Sequence, residues 1–274
     1  MAQSAAARDF RALLRVTRRL KLASRLADAT PGVENESEIE REHKNRLEKL
    51  GKLQHKLYAD GRRGILVVLQ GMDACGKDGT IRKVFTGFNP QGCRVTSFKA
   101  PSSEEAKHDY LWRAHANVPP RGIVGVFNRS HYEDVLVVRV DDLVQRSVWS
   151  QRYDQINAFE AMLISERIHV LKFMLHISKD EQLRRFRSRL EKPHKRWKFD
   201  PDDLEKRKKW NAYQRAYEDA LARCSTKVAP WYVIPANREW YRDYAIARIL
   251  SETLEDLPLR WPKPKFDPAR IRLK

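Results

Sequence analysis

Cysteine is scarce: Cys75, Cys93 and Cys224 are the only three in 274 residues, and none forms a C-x-x-C pair. That excludes the disulfide framework of small secreted domains and a zinc site with paired cysteine spacing, and a reducing cytoplasmic setting is expected. Long apolar runs are missing too, so no segment reaches the roughly 20 residues that a membrane-spanning helix needs, and no membrane partner is expected. Negative charge is in short supply, with 36 Asp and Glu against 54 Lys and Arg, a formal charge of +18. Such an excess expects a polyanion: nucleic acid, an acidic surface or a chain of phosphates. Repeats at solenoid or propeller periods and low-complexity tracts are absent, which points to one continuous fold. The Arg-rich start, MAQSAAARDFRALLRVTRRL, has no apolar h-region and no cleavage signature. It is expected to be a helix of the protein itself rather than a transit peptide.

What the sequence does contain is alternation. From Glu38 to Asp60, Ile39, His43, Leu47, Leu50, Leu53 and Leu57 mostly recur every three or four residues, a helical stripe that Gly61 closes. The next segment, 64–70, reads GILVVLQ, a near-continuous apolar run of the kind buried on both faces of a parallel sheet. Further strands are expected at 94–99, 122–127, 170–177 and 231–235, with helices over 80–87, 103–116, 151–168, 179–190, 201–223 and 240–257. Strands alternating with helices imply an α/β fold, a parallel sheet flanked by helices. The expected organisation is a helical extension over 1–60 packed on the core, an α/β domain over 61–257 with a lid at about 183–210, and a basic tail over 258–274.

The strongest motif follows the best strand. Gly71-Met72-Asp73-Ala74-Cys75-Gly76-Lys77 fits G-x-x-x-x-G-K between a strand and a helix, the context that makes a P-loop. There, backbone N–H groups, the positive end of the next helix and the lysine all act on phosphate. The residue after Lys77 is Asp78, not the Ser or Thr whose hydroxyl usually ligates Mg²⁺. Asp73, inside the loop, is the natural substitute ligand, because a hard cation takes oxygen donors; the plain alternative is that Asp73 only bonds the loop backbone.

Two more clusters stand out. The strand at 122–127 ends in Asn128-Arg129-Ser130-His131-Tyr132-Glu133-Asp134, a polar run at the carboxyl end of the strand, where open α/β folds bind ligands. Its first position is Asn128 rather than an acid, so Glu133 or Asp134 is the source of negative charge, and Arg129 suits a transferring phosphate. In the lid, Arg185 and Arg189 stand four apart and share a helix face, with Arg187 displaced from it. Lys192, Lys195, Arg196, Trp197 and Lys198 follow, a run that grips phosphates or else is a solvated charged face.

Three segments, GMDACGKDGT at 71–80, FNRSHYED at 127–134 and RFRSRLEKPHKRWKF at 185–199, make the chain resemble the polyphosphate kinase 2 family of P-loop phosphotransferases from about Arg41 to about Leu257. The resemblance implies a P-loop kinase-like sheet with a helical lid, laid out as in thymidylate kinase. It also implies reversible, Mg²⁺-dependent phosphoryl transfer, with Mn²⁺ as the alternative cation, between inorganic polyphosphate and AMP or ADP. The N-R-S-H-Y-E-D form is similar to the subgroup that phosphorylates both nucleotides. Members with one domain often carry D-R-S-W-Y-N-R, so the acidic charge here has moved from position 128 to Glu133. By resemblance, Asp73 binds the metal, while Lys77, Arg129 and Glu133 serve the reaction centre. Gly71, Ala74, Gly76, Lys77, Asp78, Gly79, Arg185, Arg189 and Lys198 hold phosphates, and Asn128, His131 and Tyr132 are second-motif candidates for the nucleotide. A homo-oligomer, a tetramer among the options, is implied as well. The rivals are an ATP-dependent kinase on the same fold and a nucleic-acid-binding module. The latter leaves 71–77 without a purpose and has no recognised motif, so no specific nucleic acid is expected.

Overall fold

The computed structural model describes residues 10–17 and 20–272. Five strands form one parallel sheet: β1 (Gly64–Gln70), β2 (Cys93–Ser97), β3 (Val124–Asn128), β4 (Ile168–His176) and β5 (Trp231–Pro235). Their order is β2-β3-β1-β4-β5. The apolar run of β1 is buried along its whole length because it is central, paired with β3 on one side and β4 on the other. The chain crosses from β1 to β2 and back to β3 before moving to β4. A crevice therefore opens beyond the carboxyl ends of β1 and β3, where such sheets hold ligands.

The principal helices are α1 (Glu36–Asp60), α2 (Lys77–Val84), α3 (Arg152–Ser165), α4 (Lys179–Glu191), α5 (Asp202–Lys208), α6 (Trp210–Cys224) and α7 (Glu239–Asp256). Asn35 caps α1 by accepting from the Glu38 N–H at 3.0 Å, and Gly61 ends it in the left-handed conformation at φ 62°. Helices α1 and α2 pack against α7, while α3 packs against α6, and β4 touches both layers. The core is continuous through the sheet and both layers.

Three expectations need correction. The segment 103–116 is not one helix: Ser102 and Glu105 cap each other's N–H in a short turn at Glu105–Lys107. Asp109 Oδ1 then accepts from the Leu111 N–H at 2.9 Å, starting a separate helix at Trp112–Ala116. The segment 201–223 is also divided, with Lys209 leaving the helical region at ψ 16° between α5 and α6. The extension over 1–60 is helical only in part. After the helix Phe10–Leu14, the backbone bridges the edge strand β5 at Arg15 and Tyr232, and the Val16 N–H donates to Trp231 O at 2.8 Å. This blunts an edge that would otherwise offer unpaired groups. The start of the expected N-terminal helix, 1–9, lies outside the described residues. The basic tail lies against the end of α1, where the Arg260 N–H donates to Asp60 Oδ1 and Trp261 meets His55 edge-on.

Candidate functional site

Between β1 and α2 the backbone turns through conformations that side chains resist. Gly71 has φ 148°, and a Cβ there would lie 2.6 Å from Leu175 O; at Gly76, φ 106°, it would lie 2.0 Å from a guanidinium nitrogen of Arg242. Only glycine fits at either place. The turn leads straight into the start of α2, and Lys77 Nζ lies across the loop, donating to Gly71 O at 2.9 Å. The loop is held from behind by α4: Gln182 Nε2 donates to Asp73 O and Arg185 Nη1 to Ala74 O, both at 2.9 Å. Arg185 also donates to Ala236 O at 2.6 Å, to Asn237 O at 3.2 Å and to Glu181 Oε1 at 2.6 Å. Its guanidinium is therefore a tether of the P-loop, not a free cation on the lid.

The turn after β3 supplies the facing wall. Arg129 takes a left-handed conformation, φ 61°, and its N–H donates to Leu69 O at 3.0 Å. That places its guanidinium 2.7 Å from Asp73 Oδ1 and 4.0 Å from Glu133 Oε2. Asn128 Nδ2 donates to Asp78 Oδ1 at 2.7 Å. The two departures from the usual P-loop pattern are thus partners, with the carboxylate on the helix and the neutral donor on the strand.

Gly71, Asp73, Arg129 and Glu133 line one cleft, together with Lys206 from α5 and Tyr213 and Tyr217 from α6. Burial resists ionisation of Asp73, but Lys77, Arg129, Lys206 and Arg189 outweigh it and hold its carboxyl below the ordinary value. Burial likewise opposes the charge of Arg129, and Glu133 and Asp73 more than offset it. Over the cleft, Arg189 Nη1 donates to Lys198 O at 3.0 Å and to Asp203 Oδ2 at 3.3 Å. Burial, reinforced by the negative charge of Asp73, pushes Asp203 up to about 6 against the pull of Arg189 and Lys206. Lys198 Nζ lies 4.9 Å from the ring centre of Trp197, a side chain that is 78% exposed.

His131 and Tyr132, candidates for the nucleotide, are elsewhere. Both are fully buried, with the Tyr132 hydroxyl donating to Glu160 Oε1 at 2.8 Å and accepting from Lys172 Nζ at 2.9 Å. His131 Nε2 lies 3.4 Å from the same Glu160 oxygen. A short turn, His131–Val135, sends these two into the core while Arg129 and Glu133 face the cleft. Sequence reasoning also missed Lys206, Asp203, Tyr213, Tyr217, Gln182 and Arg242. The only trace was that Asp203 and Lys206 stand three apart in a charge run.

Comparison with known proteins matches the family model described as Polyphosphate kinase 2 to residues 33–260. The chain belongs to the polyphosphate kinase 2 family. It is 57% identical over 223 residues to the AMP/ADP-polyphosphate phosphotransferase of Meiothermus ruber, covering 81% of this chain and 84% of that protein. It is 44% identical over 239 residues to the ADP-polyphosphate phosphotransferase of Rhodopseudomonas palustris, covering 83% and 82%. The crystal structure of polyphosphate kinase 2 from Arthrobacter aurescens TC1 aligns with a TM-score of 0.91 at 41% identity, over 93% of this chain and 92% of that one. As a polyphosphate kinase 2 family member, the protein has the P-loop kinase-like fold expected from its motifs.

Proposed function

We propose that the protein transfers phosphoryl groups reversibly between inorganic polyphosphate and AMP or ADP. The observation that carries this reading is the convergence on one phosphate cradle of cations from three places: Lys77 from the P-loop, Arg129 from the end of β3, and Lys206 from the lid. The names of its Meiothermus ruber and Rhodopseudomonas palustris relatives supply the substrate class.

In this reading the amides of Gly71, Ala74, Gly76, Asp78 and Gly79 receive the terminal phosphates of the donor, and Lys77 and Arg129 neutralise the group in flight. An AMP or ADP phosphate oxygen attacks in line, and the shortened polyphosphate leaves. Such transfers depend on positioning and charge neutralisation, so no protein nucleophile is required. Arg189, Lys198 and Lys206 follow the donor along the lid, while Arg185 keeps the cradle in shape from behind.

The donor set suits Mg²⁺, or Mn²⁺ in its place. Asp73 brings a carboxylate held ionised at the cleft, and no cluster of three or more metal-ligating side chains occurs among the described residues. A hard cation takes oxygen donors, and water and phosphate oxygens would complete its shell. Asp73 would hold the ion, with Glu133 near enough to orient it or the acceptor. When bound, the metal would neutralise charge on the phosphates. The protein is further proposed to work in the cytoplasm as a homo-oligomer, a tetramer among the options, which light scattering after size exclusion tests.

The deciding experiment mixes the protein with Mg²⁺, polyphosphate and AMP, without ATP, and follows nucleotides by chromatography. ADP followed by ATP is the expected result. Phosphorylation that appears only when ATP is the donor for another substrate would retain the P-loop and overturn the donor.

A further inference from the structure

One carboxylate over the cleft has no part in the transfer just described. Asp203, on α5, is only 6% exposed, and its Oδ2 accepts from Arg189 Nη1 on α4 at 3.3 Å. One turn further on the same helix, Lys206 Nζ stands 3.9 Å from Asp73 Oδ2 in the P-loop. The negative charge of Asp203 acts on both Asp73 and Arg129. Buried and bonded to Arg189, its side chain is turned in under the lid and not to solvent.

The other two acids of the cleft have tasks. Asp73 suits the metal, and Glu133 stands 4.0 Å from Arg129 at the reaction centre. Asp203 is an anion placed where an anionic donor must run, and it engages a lid guanidinium that the donor needs. Arg189 also donates to Lys198 O, a bond inside the lid that keeps its guanidinium in place when the carboxylate lets go. A carboxylate bonded to that guanidinium subtracts from donor binding by occupying the cation, without touching the reacting phosphate.

We propose that Asp203 is an internal competitor for polyphosphate: it occupies Arg189 until the donor displaces it, and it returns to that guanidinium to promote release of the shortened donor. This rests on the polyphosphate reading given above. Asp203 acts through Arg189, so its signature lies in donor affinity and salt dependence and not in the chemical step.

The test compares wild type, Asp203→Asn, Arg189→Gln and the double variant, as full-length proteins at saturating ADP with polyphosphate varied. Asp203→Asn should lower the KM for polyphosphate roughly three- to ten-fold, the size expected for freeing one lid guanidinium from a partly screened ion pair. It should not raise kcat, and it should steepen the dependence of KM on salt. In the Arg189→Gln background the gain should shrink below about two-fold, because the two residues are coupled. A KM that stays the same or rises in Asp203→Asn, or a full gain that persists without Arg189, overturns the proposal. If Asp203→Asn does not fold, Asp203→Ser removes the same charge and carries the same expectation. A wild type that turns over polyphosphate while neither Asp203→Asn nor Asp203→Ser gains affinity sinks the competitor alone; a wild type inactive with polyphosphate sinks the functional reading with it.

Discussion

Two groups of charged side chains meet at the turn after β3, made of similar residues and set to opposite uses. On the buried side, Lys172 and Glu160 are 0% and 1% exposed and form an ion pair whose lysine also donates to Tyr132 Oη and to Cys224 O. On the open side, Asp73, Arg129, Glu133 and Lys206 meet at distances from 2.7 to 4.0 Å. The sealed group gives its lysine three oxygen partners and has no water to compete with. In the open group Arg129 and Asp73 are hydrogen-bonded while Glu133 and Lys206 stand off at 4.0 and 3.9 Å, which is what a site needs if an anion is to replace its internal contacts. Satisfied charges fix a shape, whereas loosely paired ones leave binding energy for a ligand.

The sharpest way to test that contrast is Lys77→Ala. Among the described residues its ammonium bonds a carbonyl of its own loop and a cysteine sulfur 3.6 Å away. Its removal should cut kcat by about three orders of magnitude, roughly 4 kcal/mol of transition-state stabilisation, with little change in melting temperature. A variant close to wild type in turnover would remove the P-loop from the reaction. The complementary change is Lys172→Met, which strands the Glu160 carboxylate in the core. It should cost about 3 kcal/mol of stability and lower the melting temperature by roughly 8 °C, with turnover at low temperature within a few-fold of wild type. Equal damage to turnover and stability from both variants would erase the distinction.

How much of this the sequence disclosed depends on the range over which the information lies. Strand β1, the cradle and the start of α2 are local, and their order of apolar run, glycines and lysine is readable residue by residue. The second motif was visible as a unit but not as a division. Asn128, Arg129 and Glu133 face the site while His131 and Tyr132 face the core, because a tight turn has no period to read. Arg185 and Arg189 do share a helix face, yet one turn of rise along α4 takes the first to P-loop carbonyls and the second to the lid. The Arg129–Asp73 pair joins residues 56 apart, and nothing in either segment marks the other as its partner. Lys206 lies in the cleft on a short helix that ends at Lys208, inside a run that composition alone describes as solvated.

Asp134, the last residue of the second motif, belongs to neither group and is paired with Arg152. Burial pushes it up to about 6 from the ordinary 3.8, although Arg152 at 2.9 Å and Arg113 at 4.0 Å pull the other way. Its folded value is above its unfolded one, so the folded state holds the proton more tightly. The stability that this supplies is complete below about pH 4 and is lost as the pH rises through 6, a fall of about 3 kcal/mol at most. Asp134→Asn should remove that share of the decline between pH 4 and 7 in thermal melts. A variant with the wild-type pH profile would mean that the arginines leave Asp134 fully ionised and that it belongs with the satisfied charges.

The smallest effect should come from Arg189→Gln, and it separates the two groups most finely. Arg189 is part-buried and already bonded within the lid, so by the logic of the sealed group its loss would appear as instability. By the logic of the open group, its loss leaves Asp203 without its cation and the donor without one contact. The second account predicts a KM for polyphosphate raised about five-fold, near 1 kcal/mol, with kcat almost unchanged and a shallower response of KM to salt. The rise should be larger for long donors than for short ones, since only a long donor reaches from the cradle to Arg189. A rise that is the same at every donor length would place Arg189 with the structural charges, and the open group would then end at Lys206.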